Sequence, residues 1–428
     1  MAQPPRPSPA KVAAAQTELP ANLRLTRIYL GAACFLAGAA MMVIEICAYR
    51  LLAPLFGNSV YTWTALIGVI LIAFSAGGFI GGRLADRKAG LEVLGWLLGG
   101  AAILTFLIPP LHAWFGSAFT GGGFIAGSVL LSMFLFAVPG AMLGAVSPAA
   151  VRFYSLTLSD SHVGAAAGTV SMLGSLGSFV GTFLSGFILL AHFGVRSIFI
   201  GAGAILLLLA LTAFFLDRKA LSRQAPIIVA ALLSALLAGV VKYQPQSIGV
   251  VLFEKESFYH HIEVSERGTG PDRQRRLRLD STDEGGMNPD DGSLIFDYQQ
   301  FWRLVQLKDD FQINKALFIG AGAFGMPEDL SRQFPNASVD VAEIDPNVIE
   351  VGHKFFKLSE YPRVQAHASD ARHFLRTRED QRWDLIFGDA YNGVHAIPAH
   401  LLTQEFFQLV SDRLTPDGIF IINTITAV

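Results

Sequence analysis

The sequence has few charged residues. They make up 15% of its 428 residues, whereas soluble globular proteins carry about 25%. Hydrophobic residues make up 52%. The shortage of charge is confined to the first part of the chain, because charged residues are scarce up to about residue 243 and frequent from Glu254 onward. We therefore expect two parts that meet different solvents, a membrane first and water second.

Cysteine and positive charge are also scarce. Cys34 and Cys47 are too few for a disulfide framework, and no His or Cys spacing typical of a metal site occurs, so no metal is predicted. The formal net charge of -2 leaves no basic face that would neutralise phosphates, which excludes nucleic acid as a partner. Residues 1–24, rich in Pro and Ala, are predicted to form a disordered tail. The hydrophobic stretch after Arg27 is too long for a cleaved signal peptide.

What the first part does contain is long hydrophobic segments. A helix needs about 20 apolar residues to cross a hydrocarbon layer of about 30 Å. Residues 25–243 are therefore predicted to form a multi-pass bundle of about seven helices in the lipid bilayer. The predicted segments lie near residues 28–52, 62–82, 91–111, 123–146, 165–191, 195–216 and 226–242.

Lysine and arginine gather on one side of these segments. They precede the first segment and follow the second and the sixth, while residues 53–61 and 112–121 carry none. The positive-inside rule then places the N-terminus in the cytoplasm and the protein in the inner (cell) membrane. Seven crossings would put the C-terminal domain outside, where nucleoside cofactors are scarce. We therefore favour residues 226–242 as a re-entrant or interfacial helix and a cytoplasmic soluble domain.

Three features of the hydrophobic part carry further information. Closely spaced glycines, in residues 77–82 and 174–186, predict helices that pack at short distance. Glu45 lies in the middle of the first segment, where an ionised group usually faces the bundle interior; a functional role and a structural hydrogen bond both stay open. Residues 81–88 resemble the short cytoplasmic loop between the second and third helices of major-facilitator transporters.

The soluble part contains a glycine-rich turn after a short apolar strand. Gly320, Gly322 and Gly325 lie in this turn, and the next predicted strand carries Glu343 about 20 residues later. That is the spacing at which a carboxylate reaches the ribose hydroxyls of a nucleoside laid over the turn.

Strands and helices alternate through the rest of the chain, which predicts a doubly wound α/β domain over residues 311–428. Glu343, Asp370 and Asp389 follow successive strands, so three carboxylates should meet at one edge of the sheet. No Lys or Arg stands near the glycine turn, which favours a single nucleoside over a dinucleotide. Carboxylates at this edge suit a sulfonium or amine ligand.

Residues 317–420 resemble the polyamine aminopropyltransferases, the spermidine synthases. Besides the glycine turn, the resemblance is carried by residues 343–351, 361–364, 370–375, 384–389 and 402–407. Residues 254–262 look like the small β-region that covers the active site of this family, which implies a β-rich region over residues 250–310. The hydrophobic part resembles the family's membrane-fused branch. The implied fold is a multi-pass α-helical membrane bundle joined to a Rossmann-like, methyltransferase-type domain.

The resemblance also implies residue roles and a co-substrate, either decarboxylated S-adenosylmethionine or S-adenosylmethionine. Asp389 matches the catalytic carboxylate, which holds the attacking amine and helps to deprotonate it. The residues implied to bind the co-substrate, with Glu343 on the ribose and Asp370 on the adenine amine, are Gly320, Gly322, Gly325, Glu343 and Asp370. The residues expected to bind the amine substrate are Tyr259, His260, Tyr298 and Asn392.

The amine half of the site departs from the family pattern. Ala323 stands where the family has an acid in the glycine turn, and Asn392 replaces a second acid. His260 stands where a Gln is usual, and residues 298–300 replace a Tyr-His-Glu run. Losing two carboxylates removes the pairing that a doubly charged diamine such as putrescine needs. The chain also ends at Val428, just past the fifth predicted strand, which leaves a C-terminally shortened domain open.

The predicted function is therefore a membrane-anchored transferase in polyamine metabolism, which moves an aminopropyl group to an amine other than putrescine. The alternative from another class is a transporter or sensor whose soluble domain binds an adenosine nucleoside without catalysis. A third hypothesis is a degenerate domain kept for stability. A homodimer is left open.

Overall fold

The structure is a computed structural model, and it divides into a helical unit and an α/β unit. The predicted tail falls almost entirely outside the described residues. The structure describes residues 22–56, 60–87, 90–158, 163–217, 225–241, 249–280, 282–309, 311–391 and 397–424.

The helical unit consists of apolar helices, and each of the seven predicted segments is helical. Within the described residues, six helices are long and apolar enough to cross a membrane, whereas the last is shorter. The helices are α1 (Leu23–Phe56), α2 (Val60–Arg87), α3 (Leu91–Phe115), α4 (Gly123–Leu156), α5 (Val163–Leu184), α6 (Val195–Leu216) and α7 (Ala225–Val240). A 3-10 helix (Gly116–Gly122) follows α3, and a π-helical turn (Ser185–Leu189) with a short helical turn (Leu190–His192) extends α5.

Glycines bring helix backbones into contact, as their spacing predicts. A Cβ atom on Gly177 of α5 would lie 1.9 Å from the carbonyl oxygen of Phe35 in α1. A Cβ atom on Gly77 of α2 would lie 1.9 Å from the carbonyl oxygen of Ala141 in α4. Gly186 belongs to the same predicted series, but it has no neighbouring atom within 4 Å, so close packing does not explain it.

The α/β unit begins with an antiparallel sheet of four strands in sequence order. The strands are β1 (Val250–Glu256), β2 (His261–Arg267), β3 (Gln274–Leu279) and β4 (Thr282–Met287). A 3-10 helix, Asp297–Leu307, follows them. We call β1 to β4 the small sheet.

A parallel sheet of five strands follows, with the order β7-β6-β5-β8-β9. Its strands are β5 (Lys315–Ile319), β6 (Ser338–Glu343), β7 (Val364–Ala368), β8 (Trp383–Gly388) and β9 (Leu414–Ile422). Its helices are α8 (Gly325–Gln333), α9 (Pro346–Phe355), α10 (Ala371–Arg376) and α11 (Gln404–Asp412). Strand β5 pairs with both β6 and β8, so the order in which strands are added to the sheet reverses at β5. In parallel sheets, ligands bind at such a switch point, beyond the carboxyl ends of the strands. The predicted fold class is confirmed.

Both sheets of the α/β unit contribute to one hydrophobic core. Val264 and Leu277 of the small sheet are fully buried in the same cluster as Phe318 and Phe387 of the parallel sheet. Burying these side chains together removes apolar surface from water, which is the main stabilising term in folding. The small sheet is therefore fixed in place over the parallel sheet.

Candidate active site

A cavity of about 540 Å³ lies at the carboxyl ends of the parallel strands. Seven of the ten predicted site residues line it: Tyr259, His260, Gly320, Gly322, Glu343, Asp370 and Asp389. Tyr298 and Gly325 are not among the lining residues. Asn392 lies outside the described residues.

The glycine turn after β5 needs glycine at two positions. Gly320 and Gly322 have φ angles of +91° and +48°, which L side chains rarely adopt. A Cβ atom on Gly320 would also lie 2.4 Å from the carbonyl oxygen of Asp389, and one on Gly322 would lie 2.3 Å from that of Glu284. The turn therefore presents bare backbone to the cavity.

Gly325 differs from the prediction, which placed it against the nucleoside. It is the first residue of α8 and is buried. A Cβ atom there would lie 2.7 Å from Nε2 of Gln299, so the structure gives this glycine a packing role. A glycine at this spacing after a turn can either approach a nucleoside or allow close packing, and the sequence alone does not distinguish the two roles.

Glu343, at the end of β6, holds the glycine turn in shape. Its Oε2 accepts a hydrogen bond from the backbone N–H of Ala321 at 3.0 Å, and its Oε1 accepts one from Asp345 at 2.8 Å. Burial raises the pKa of Glu343, while these two N–H groups lower it in part. Each carboxylate oxygen can accept a second hydrogen bond, so Glu343 remains able to bind ribose hydroxyls.

Asp370, after β7, caps α10. Its Oδ1 accepts a hydrogen bond from the backbone N–H of His373 at 2.9 Å, and its Oδ2 lies 2.7 Å from Nε2 of His400. Burial alone would raise the pKa of Asp370, but these two partners lower it overall. The carboxylate therefore stays ionised and can accept from an adenine amine. The sequence did not indicate His400.

Asp389, after β8, lies between the glycine turn and the last strand. Its Oδ1 accepts a hydrogen bond from Nδ2 of Asn423 at 2.9 Å, and Tyr391 donates to the carbonyl oxygen of Asn423 at 2.7 Å. Burial raises the pKa of Asp389, and the amide of Asn423 lowers it in part. A carboxylate with a raised pKa is a better base, which suits the predicted role.

Glu284 is a cavity residue that our sequence analysis missed. It lies on β4 of the small sheet and lines the same cavity as Asp389. Burial, and then the negative charge of Asp389, raise its pKa to about 8. The signal in the sequence was an acid followed by two glycines, in the region expected to cover the site.

His260 also reaches the cavity from the small sheet and is held by Asp280. Its Nδ1 lies 3.3 Å from Oδ2 of Asp280. Burial lowers the pKa of His260, but the hydrogen bond and charge of Asp280 outweigh it, so the pKa is raised overall. Tyr298 packs against the hydrophobic core, and burial raises its pKa, followed by the charges of Asp389 and Glu284.

The lining of the cavity is acidic. It includes four carboxylates, from Glu284, Glu343, Asp370 and Asp389, and it contains no Lys or Arg among the residues that the structure describes. Over the same residues, no cluster of three or more His, Cys, Asp or Glu side chains is placed to hold a metal ion. Such a cavity favours a ligand with positive charge, such as a sulfonium or an ammonium.

The helical unit has a cavity of its own, of about 440 Å³. Glu45 of α1 lines it, together with Ser147, Ser171 and Ser175 from α4 and α5. Across the described ranges, Glu45 makes no hydrogen bond or ion pair. Ionisable groups inside helices that cross a membrane are costly and usually functional. We call this cavity the bundle cavity.

Two protein families match this chain, one in the α/β unit and one mainly in the helical unit. The model described as the spermine/spermidine synthase domain matches residues 296–426. The Major Facilitator Superfamily model matches residues 113–253.

Similar proteins are known by sequence and by structure. The polyamine aminopropyltransferase of Vibrio vulnificus is 29% identical over 201 residues, which cover 45% of this chain and 65% of that protein. The polyamine aminopropyltransferase of Corynebacterium efficiens is 26% identical over 441 residues, which cover 96% of this chain and 80% of that protein. A crystal structure of a probable spermidine synthase from Corynebacterium glutamicum is 20% identical, covers 41% of this chain and 63% of that chain, and superposes with a TM-score of 0.35.

The resemblance predicted from the sequence is confirmed. Residues 296–426 are similar to the spermine/spermidine synthase domain, and residues 113–253 before them are similar to the Major Facilitator Superfamily. The similarity to the Corynebacterium efficiens protein extends over both parts, because it covers 96% of this chain.

Proposed function

We propose that this chain is a membrane-anchored transferase that moves an aminopropyl group from decarboxylated S-adenosylmethionine to an amine. One observation carries the proposal. The base candidate Asp389 and the nucleoside candidates Glu343 and Asp370 line one acidic cavity, at the switch point of a parallel sheet. The spermine/spermidine synthase domain match over the same residues supports this reading.

The reaction is a nucleophilic substitution at carbon. The nitrogen of the neutral acceptor amine attacks the aminopropyl carbon next to the sulfonium, a C–N bond forms, and the C–S bond breaks. The electron pair of the C–S bond stays on sulfur, which leaves as the neutral thioether of methylthioadenosine. The acceptor binds as an ammonium, and Asp389 accepts one proton from it before the attack and passes this proton to solvent. The positive charge of the sulfonium ends on the product as a secondary ammonium.

The residues of the cavity divide this work between them. Glu343 and the bare backbone of the glycine turn hold the ribose, and Asp370 receives the adenine amine. These contacts place the reactive carbon beside Asp389, so that positioning lowers the barrier together with proton transfer. The acidic lining stabilises the sulfonium of the donor and the ammonium form of the acceptor as they bind.

The test uses the full chain in detergent, with decarboxylated S-adenosylmethionine, a panel of amines and a readout of released methylthioadenosine. We expect Asp389→Asn to lower kcat by about 100-fold or more, because a general base contributes that much. Affinity for methylthioadenosine should change little. Asp417→Asn is the control, since the Asp417 side chain is 93% exposed. Absence of release by the natural protein, or equal turnover in Asp389→Asn, would overturn the proposal.

The bundle cavity favours a second candidate function, the binding and transport of an organic cation by the helical unit. Glu45 makes no ion pair within the described part of the chain, and an ammonium ligand would supply one. The match to Major Facilitator Superfamily proteins supports this candidate.

The two candidates are separated by a transport assay. The full chain in proteoliposomes should take up labelled amine, Glu45→Gln should abolish the uptake, and Asp389→Asn should retain it. Uptake that is equal in the Glu45→Gln variant would exclude this role for the bundle cavity.

A further inference from the structure

One acid expected at the site is missing, and the structure shows what lies next to its position. Ala323 is buried in the glycine turn, where the resemblance predicts a carboxylate. The neighbour of Ala323 across the space between the two sheets is Gly285 of β4, because a Cβ atom on Gly285 would lie 3.1 Å from the backbone nitrogen of Ala323. The residue before Gly285 is Glu284.

Strand β4 therefore runs directly against the glycine turn. The carbonyl oxygen of Glu284 lies so close to Gly322 that a Cβ atom there would approach to 2.3 Å. The side chain of Glu284 lines the cavity that also contains Asp389. A carboxylate is thus present beside the turn, supplied by the small sheet.

The four cavity carboxylates differ in how far they are already engaged. Glu343 accepts two backbone N–H groups, and Asp370 accepts one and lies against His400. Glu284 and Asp389 form no ion pair within the ranges that the structure describes. After burial, the negative charge of Asp389 raises the pKa of Glu284, and a cation placed near both carboxylates would offset this repulsion.

We propose that Glu284 and Asp389 form an ammonium subsite for the aminopropyl tail of the donor, in which Glu284 replaces the acid absent at Ala323. This inference rests on the proposed function. The tail of decarboxylated S-adenosylmethionine carries an ammonium group, which this subsite would pair. The tail of S-adenosylmethionine carries a carboxylate as well, which would meet two acids and no Lys or Arg in the described lining. Glu284 therefore makes the site select the decarboxylated donor.

The experiment measures binding of three ligands to the full chain by calorimetry: decarboxylated S-adenosylmethionine, S-adenosylmethionine and methylthioadenosine. Methylthioadenosine lacks the charged tail and reports on the nucleoside contacts alone. We expect Glu284→Gln to weaken the decarboxylated donor by about tenfold or more, as the loss of a charged hydrogen bond does. The variant should bind the decarboxylated donor with a smaller preference over S-adenosylmethionine. Its affinity for methylthioadenosine should stay within about twofold of that of the natural protein.

The matched control is Asp283→Asn, which removes a negative charge from the residue of β4 that directly precedes Glu284. Asp283 pairs with Arg276 and Arg278, and it does not line the cavity. This control should leave the ratio of the three affinities unchanged.

The outcomes separate the two proposals. If methylthioadenosine does not bind the natural protein, the proposed function fails. If it binds but Glu284→Gln leaves the preference between the two donors unchanged, the ammonium subsite alone is overturned. Equal weakening of the binding of all three ligands overturns it as well.

Discussion

Glu284 is a cavity residue whose charge changes near neutral pH. Burial and the negative charge of Asp389 raise its pKa to about 8, so it is largely protonated at pH 6.5 and largely ionised at pH 8.5. The other titratable groups around it are His260, Asp280 and Tyr298. Of these, His260 has a pKa raised above the usual 6.5, because the hydrogen bond of Asp280 and the charges of the nearby acids outweigh its burial.

Affinity for the decarboxylated donor should therefore rise between pH 6.5 and pH 8.5. The sign follows from the charges: as pH rises, Glu284 gains negative charge, while an aliphatic ammonium with a pKa near 10.4 keeps its positive charge. Equilibrium dialysis across this range measures the effect. Glu284→Gln keeps His260, so the part of the slope that disappears in this variant belongs to Glu284. An unchanged slope would contradict the assignment.

The sequence was informative for some cavity residues and silent for others. Glu343, Asp370 and Asp389 could be predicted because the carboxyl ends of parallel strands meet at one edge. His400 could not, because its contact with Asp370 joins residues 30 positions apart and depends on tertiary packing. Glu284 had only a weak signal, the two glycines that follow it, because its place beside the turn depends on how the two sheets pack.

Close packing between α1 and α5 depends on glycines, among which Gly177 makes the shortest approach. Gly177→Ala should destabilise the helical unit, because its Cβ atom would lie 1.9 Å from the carbonyl oxygen of Phe35 and the helices must move apart. Overpacking of this kind costs about 1–3 kcal/mol. Thermal unfolding of the purified chain measures it. Gly168→Ala on the same helix is the matched control, because nothing lies within 4 Å of its Cβ position.

An equal melting temperature for Gly177→Ala and Gly168→Ala would show that this contact between α1 and α5 contributes nothing. The comparison is direct because both changes add one methyl group and raise helix propensity equally. Only the space around the new atom differs.

The 3-10 helix after the small sheet is tied to α8 by a buried acid. Asp329 Oδ2 accepts hydrogen bonds from Nε1 of Trp302 at 3.1 Å and from Nη2 of Arg303 at 2.8 Å. Asp329→Ala should lower the unfolding free energy of the α/β unit by about 3 kcal/mol, because it leaves a charge and a buried donor without their partner. Tryptophan fluorescence during urea unfolding measures this. Asp417→Ala, at an exposed acid, should change it by less than about 0.5 kcal/mol.

The sequence pattern predicted which segments form helices and strands, but it did not predict the residues at which they begin and end. The segment predicted to start at residue 28 begins at Leu23, because Asn22 caps the helix and its Oδ1 accepts from the backbone N–H of Leu25 at 3.1 Å. Hydropathy alone does not detect a polar first turn. The π-helical turn at Ser185–Leu189 had no signal in the sequence either.

At the scale of the whole molecule, the number of crossings decides where the α/β unit lies. Six helices have the length and composition to span a membrane, and α7 is shorter. If α7 does not cross, an even number of crossings puts both ends of the chain on one side, and the positive-inside rule makes that side the cytoplasm. A reporter enzyme that is active only outside should therefore be silent at Val428. The same reporter placed at Gly194, between α5 and α6, should be active, and activity at Val428 would contradict this topology.

The contact between β4 and Gly322 limits how the gene could be cut or recombined. A fragment beginning at β5 would keep every nucleoside contact indicated by the sequence, yet one wall of the pocket would be gone. The smallest piece that retains a closed pocket therefore starts ahead of β1. Evolution could exchange the helical part for another segment, but the two sheets have to be inherited together.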